Sequence, residues 1–244
     1  VSFDFDQIDG TATVDTVQRL RGTVVGATVD TADKIEGDGS LAFDGNGVVT
    51  IPNDAAIEGA SEFSISLWVR LTTAQPAVLC EKSGDYRLVV DSSMRVSFSL
   101  LTSAGLATAT STAPLVPLQW YRVKARVWHG TAELVLAAMD GTLDEISTSV
   151  QGTVAVSGSD LKVGVDLIGK LDALVISKPR PVSFVAVVGL DANGQVRLGN
   201  DGTAKVRIES TGRFPAESLG QEIDVSIVAS PEWVSGFLIA SVEF

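Results

Sequence analysis

The chain holds a single cysteine, Cys80, so it has no intrachain disulfide. That excludes a small scaffold held by disulfide staples and permits assembly in a reducing compartment. Histidine is equally scarce, with His129 alone. Neither residue has acidic partners at the spacing of a structural zinc motif. A Cys80–His129 nucleophilic pair would require a strand end and a turn to meet, so Cys80 reads as a small core residue and His129 as a turn residue. Positive charge is short: 18 Lys and Arg against 30 Asp and Glu give a formal net charge of −12. This balance excludes wholesale binding to nucleic acid or to an anionic membrane. Aromatics make up only 6% of the residues, four of them Trp and two Tyr, a thin supply of sugar-stacking platforms. Mean hydropathy is high, +0.28, yet no apolar run approaches the roughly 18 residues of a membrane span. Membrane insertion is therefore not expected, and the apolar surplus belongs in cores or in subunit contacts. No nucleophile elbow, phosphate loop or dinucleotide fingerprint is present. The sequence does not open on a basic stretch followed by an apolar one, which leaves both a removed leader and an absent upstream segment open.

What the sequence does have is period-2 alternation. Phe63, Ile65, Leu67, Val69 and Leu71 share one face of a segment whose other face carries Ser64, Ser66, Trp68 and Arg70. Tyr121, Val123, Ala125 and Val127 alternate with Trp120, Arg122, Lys124, Arg126 and Trp128. Further strands are predicted at 2–6, 22–28, 39–43, 48–51, 77–81, 86–90, 95–101, 107–110, 133–139, 146–148, 161–165 and 173–177. Gly-containing turns separate them, among them Asp44-Gly45, Ser83-Gly84, His129-Gly130 and Asp140-Gly141. Many short strands of this kind imply a sandwich of antiparallel sheets.

A boundary is expected at Ser177-Lys-Pro-Arg-Pro181, whose prolines cannot donate to a ladder. Domains 1–180 and 182–244 follow. In the second, strands are predicted at 184–190, 195–198, 204–209, 222–229 and 235–244, with hairpin turns at Asn193-Gly194 and Asp201-Gly202. A unit of roughly 60 residues is marginal for an independent core. It is expected to lean on the first domain or on another copy, serving in docking or oligomerisation. Its hydrophobic end, Gly236–Phe244, must pair inside the fold or across an interface.

Five stretches in order carry a family resemblance: Gly39-Ser-Leu-Ala-Phe-Asp-Gly45, Ser64-Ile-Ser-Leu-Trp-Val69, Gln119-Trp-Tyr121, the Asp140-Gly141 turn, and Gly164 followed by Gly169-Lys-Leu-Asp172. Together they resemble the laminin-G-like, concanavalin A-like jelly-roll family over about residues 1–180. The resemblance implies an all-β antiparallel jelly roll. It names no ligand, because this fold hosts lectins, glycanases, adhesion modules and structural parts.

Jelly-roll glycanases of the superfamily carry Glu-x-Asp-x-x-Glu on one strand, and a carboxylate pair there serves as nucleophile and acid. The nearest match, Glu222-Ile-Asp-Val-Ser-Ile227, lacks the last Glu and lies outside the jelly-roll region. Asp144 and Glu145 are adjacent, so on a strand they face opposite sides and read as solvated charges. No catalytic residue is assigned, and the chain is read as a non-enzyme. Calcium requires six to eight oxygens. By the resemblance, Asp85 and Asp166 stand near the places that pentraxin relatives use, each without companions, while Asp44 and Asn46 form another oxygen-rich turn. No cofactor is expected, with calcium at Asp85 and Asp166 as the alternative. Trp68 and Trp120 occupy positions where the aromatic packs inside the sandwich, and Trp233 lies in the second unit. The feature that stands out in so acidic a chain is Arg122, Lys124 and Arg126, aligned on one sheet face and followed by Trp128. Either it keeps a solvent face soluble, or it meets an acidic partner surface or acidic glycan.

The expected function is a non-catalytic binding or architectural module of a larger assembly, such as a phage virion surface or a cell-surface adhesin. Its expected partners are other protein subunits, as a homo-oligomer or on a particle surface. The alternative is a lectin, with or without calcium, and the third reading is a glycoside hydrolase.

Overall fold

The computed structural model describes residues 1–16 and 20–178, and beyond them four strands. The chain divides into two compact units, Val1–Pro179 and Arg180–Phe244.

The larger unit contains β1 (Ser2–Phe3), β2 (Ala12–Val14), β3 (Arg21–Asp30), β4 (Ser40–Ile51), β5 (Phe63–Leu71), β6 (Ala77–Lys82) and β7 (Tyr86–Val90). It continues with β8 (Val96–Thr102), β9 (Gly105–Thr110), β10 (Trp120–Trp128), β11 (Thr131–Ala138), β12 (Leu143–Ser149), β13 (Leu161–Val165) and β14 (Ile168–Ser177), with one 3₁₀ turn at Ala55–Ile57. The strand order is β12-β11-β10-β5-β14-β4-β13-β6-β7-β8-β9, with β3 and β2 added beside β4 and β1 beside β14. All pairings are antiparallel, and the architecture is a jelly-roll sandwich. β1 lies against the far end of β14, Ser2 opposite Val175 and Phe3 opposite Leu174. Val1 and Ile176 exchange two backbone bonds of 2.9 Å.

β4 belongs to both sheets. Its first half, Leu41–Asp44, pairs with β14, and its second half, Val49–Ile51, pairs with β13. Along β3 the partner jumps from Val48 to Phe43 between Val25 and Ala27. Asp44-Gly45 therefore does not close a hairpin between two strands. It is an excursion inside one strand, which lets β4 pass from sheet to sheet. Small residues make the crossing possible: a Cβ on Gly47 would stand 2.7 Å from the Gly26 carbonyl oxygen.

The core follows from the alternation. The predicted inner faces of β5 and β10 are buried throughout. Phe63 packs on Tyr86 and Phe98 at ring separations of 5.2 and 6.3 Å. The buried Tyr86 hydroxyl donates to the Ile57 carbonyl at 2.8 Å, as a polar group in an apolar core must. Cys80 is fully buried, which together with the neighbouring Glu81 pushes its thiol up to about 12. At that value it is neither a nucleophile nor a ready ligand.

In the smaller unit, β15 (Phe184–Gly189), β16 (Val206–Ser210), β17 (Val228–Ala229) and β18 (Phe237–Ser241) form a sheet in the order β16-β15-β18-β17. β18 is thus bonded on both sides within its own chain. On the β17 side the described pairing covers Ala240 and Ser241. The predicted strand 195–198, both hairpin turns of this unit, Trp233 and Glu222-Ile-Asp224 lie outside the described residues. Among the described residues, no helix is long and apolar enough to cross a membrane.

Candidate binding surface

Burial of Tyr121, Val123, Ala125 and Val127 turns the alternate side chains of β10 outward. Arg122, Lys124, Arg126 and Trp128 therefore share one face, with alternate residues about 6.8 Å apart along the strand. Register sets their neighbours. Arg122 stands between Trp68 and Ala137, Lys124 between Ser66 and Val135, and Arg126 between Ser64 and Glu133. The Arg122 guanidinium lies over the Trp68 ring, 6.0 Å from its centroid, and its Nε donates to Ser66 Oγ at 3.4 Å. Arg126 Nε donates to Glu133 at 2.5 Å. Trp128 meets His129 edge to face at 4.7 Å, and His129 Nδ1 stands 3.8 Å from Glu62. The stripe is real as a row, and Arg122 and Arg126 reach partners across the sheet.

Trp68 and Trp120 do not pack inside the sandwich. Both lie on this outer face, where residues 31–39, between β3 and β4, fold over the sheet. Asp33 anchors that segment. Its Oδ1 accepts from Trp120 Nε1 at 2.9 Å, and its Oδ2 accepts from Arg70 at 2.7 Å and from Lys170 Nζ at 2.6 Å. Glu36 accepts from Trp68 Nε1 at 2.8 Å. Burial works against the Asp33 charge, yet the bonds from Lys170 and Trp120 and the nearby Arg70 hold its pKa below the usual value. Asp30, bonded to Lys170 and to the backbone N–H groups of Ala32 and Asp33, is lowered to about 2. Both carboxylates are ionised at neutral pH, so neither can serve there as a general acid.

Asp172 anchors the same segment from β14. Its Oδ2 accepts the N–H groups of Ile35 and Glu36 at 2.7 and 3.0 Å, while Oδ1 has no hydrogen-bond partner. The residue is completely buried. Burial, opposed by those N–H groups and aided by the Glu36 charge, raises its pKa. A carboxyl with a raised folded pKa stabilises the fold in its protonated form, and that contribution is lost as pH climbs from about 4 through the folded pKa. Asp172→Asn removes this titration while keeping an acceptor for Ile35 and Glu36. The melting-temperature difference between variant and wild type should shift in the variant's favour as pH rises from 4 to 7. A difference independent of pH would show that Asp172 titrates alike in the folded and unfolded chains.

The two metal candidates are not brought together. Asp85 follows the end of β6 where Lys82 faces Leu161, whereas Asp166 follows the end of β13 where Val165 faces Val78. Those ends are four residues apart, about 14 Å. Asp85 is buried and accepts from Ser157 N at 2.5 Å and Gly59 N at 3.2 Å. Its companion is Lys82, also fully buried, whose Nζ stands 3.7 Å from Asp85 Oδ2. The same ammonium donates to Asn53 Oδ1 at 2.7 Å, Ser157 O at 2.9 Å and Ser159 O at 2.6 Å. A tethered cation thus occupies the oxygen-rich place beside Asp85. Asp166 is exposed at a turn, with its carbonyl bonded to Gln75. Among the described residues no group of three His, Cys, Asp or Glu is placed to hold a metal. Asp144 is more than a solvated charge: its carboxylate takes the N–H groups of Thr112 and Ala113 and the Thr112 hydroxyl, at 2.7–2.9 Å.

With this geometry in hand, the family is decided by a model described as the concanavalin A-like lectin/glucanases superfamily, of laminin G type, which matches residues 43–177. The chain belongs to this superfamily. No curated protein matches it. Among solved structures, this superfamily member resembles domain 4 of AbnA, a GH43 extracellular arabinanase from Geobacillus stearothermophilus, in complex with arabinotriose. That match has a TM-score of 0.53 and 16% identity, over 72% of this chain and 90% of that one. The binding domain of botulinum neurotoxin serotype G gives 0.53 at 11% identity, over 85% of this chain and 64% of that one. The receptor binding domain of botulinum neurotoxin D gives 0.52 at 16%, over 74% and 49%. At such identities the likeness is one of fold.

Sequence reasoning found the β10 row and missed Lys82, Asp33 and the outward placement of Trp68. Lys82 sits beside Glu81 at a strand end and carries no sequence signal of burial. The Asp33 and Trp68 contacts join residues far apart in the chain.

Proposed function

We propose that the jelly roll is a non-catalytic binding module whose outer β10 face meets an acidic partner surface, displayed on a larger assembly such as a virion or a cell-surface adhesin. The observation that carries this is the row of Arg122, Lys124 and Arg126, with Trp68 beside it and Trp128 at its end, in a chain of net charge −12. Cations aligned on a rigid sheet steer and orient an acidic partner without rearrangement. The carboxylates near this face favour binding over catalysis. Asp30 and Asp33 are clamped in the ionised state by Lys170, and Asp172 is covered. No resident cofactor is proposed. For residues 182–244 docking remains the proposal, on the small size of the unit.

The second reading is a lectin. The exposed Trp128 at one end of the row favours it, as does the fold likeness to an AbnA domain solved with arabinotriose. A glycan library screened with and without chelator separates the readings. Binding of neutral glycans selects the lectin. Binding confined to acidic glycans or acidic protein, weakened by salt and indifferent to chelator, selects the first. Arg122→Ala/Lys124→Ala should then weaken binding about tenfold, ~1.4 kcal/mol. Unchanged affinity would remove β10 from the site.

A further inference from the structure

Along β3, on the side away from β4, a strand edge is left open. β2 covers only its beginning, Ala12–Val14 against Arg21–Thr23. The Thr11 carbonyl then accepts the Val24 N–H at 2.7 Å. Past Val24 no strand among the described residues pairs with β3 on this side. The segment that could have covered the edge, 6–10, is held at both ends instead. Thr11 fixes one end at Val24, and Asp6 fixes the other, its carboxylate accepting the N–H groups of Asp38 and Gly39 at 2.7 and 2.9 Å. Between them lies a groove of about 660 Å³, with Ile8, Val24, Ala27 and Val29 supplying apolar walls and Asp6 and Gln7 polar ones. Val25, next to Val24 on the same strand, is 57% exposed.

The surroundings are acidic. Asp6 lines the groove, Asp9 and Asp30 adjoin its lining residues in sequence, and Asp38 donates its N–H to Asp6. Burial and the nearby Asp6 and Asp15 carboxylates push the Asp4 pKa up. Among the described residues, Lys34 lies 3.8 Å from Asp38, and Lys170 is bonded to Asp30 and Asp33.

We infer that this groove receives an extended segment of a protein partner, added as a strand to β3, in which apolar side chains alternate with Lys or Arg. The open edge takes the backbone. A strand turns alternate side chains to opposite faces, so one set meets Ile8, Val24, Ala27 and Val29 while the other meets the carboxylates. The register jump at Gly26 limits the regular edge to Ala27–Asp30, about 13 Å. So short a ladder gives weak, reversible capture rather than permanent assembly. This surface is separate from the β10 face and does not depend on its role.

The test uses the full chain and a capped hexapeptide alternating lysine and valine. Binding is followed by anisotropy of a labelled peptide, and backbone protection by hydrogen exchange. Expected are binding that weakens with salt and at least fivefold slower exchange within Val25–Asp30. Gln7→Lys/Asp9→Lys, two exposed positions, should weaken binding at least fivefold. A peptide alternating glutamate and valine should not bind. Equal binding of both peptides, or lysine–valine binding without protection of Val25–Asp30, overturns the assignment, as does no binding. Protection of the same amides on raising the protein concentration without peptide gives the groove to a second copy, and also overturns it.

Discussion

Lys82→Met should lower stability by ~3–5 kcal/mol, the cost of breaking a buried ion pair by removing one partner. For a domain of this size that is a fall in melting temperature on the order of 10 °C. Methionine fills the volume, so packing is roughly preserved. What it cannot do is donate. Asn53 Oδ1 and the carbonyls of Ser157 and Ser159 lose the ammonium that satisfies them. Asp85 keeps its two backbone donors but loses its countercharge. The double variant Lys82→Met/Asp85→Asn should be less damaged than the sum of the two single changes, because the uncompensated charge has gone. Thermal unfolding of the four proteins gives the coupling. Additive losses would mean that Lys82 acts through its three neutral acceptors alone.

Gly169→Ala should be comparably severe for a different reason. β14 approaches β5 so closely that a Cβ on Gly169 would stand 2.4 Å from the Arg70 carbonyl oxygen and 3.0 Å from Leu71 Cα. Both are backbone atoms of a central strand, so no side chain can swing aside. The strands must separate, at a cost of several kcal/mol. Gly141 provides the contrast. It has positive φ, +88°, but nothing lies within 4 Å of an added Cβ. Gly141→Ala should cost only about 1 kcal/mol of backbone strain. Denaturant titration of both proteins checks the pair, and equal losses would show that the strands yield to the added methyl at little cost.

Much of the fold was legible because alternation is a local property. The predicted strands 63–71, 86–90 and 161–165 coincide with β5, β7 and β13. The alternation also placed Arg122, Lys124 and Arg126 on one exposed face. It could not say what stands opposite them, since the Trp68–Arg122 and Arg126–Glu133 contacts depend on register. Asp44-Gly45 misled because the same dipeptide serves a hairpin and a crossing between sheets, and only the partners β13 and β14 tell them apart. The aromatic positions misled for a similar reason. An outer sheet face reads as solvent-facing until another segment covers it, and residues 31–39 reach Asp172 and Lys170 from more than 130 positions away.

The pairing of β1 with the end of β14 has a mechanical consequence. Val1 and Ile176 are hydrogen-bonded neighbours, so a pull between Val1 and Ser177 acts across the ladder rather than along it. The bonds then break in succession, as in a zipper, instead of failing together in shear. A module joined in this way makes a poor link in a tensioned chain.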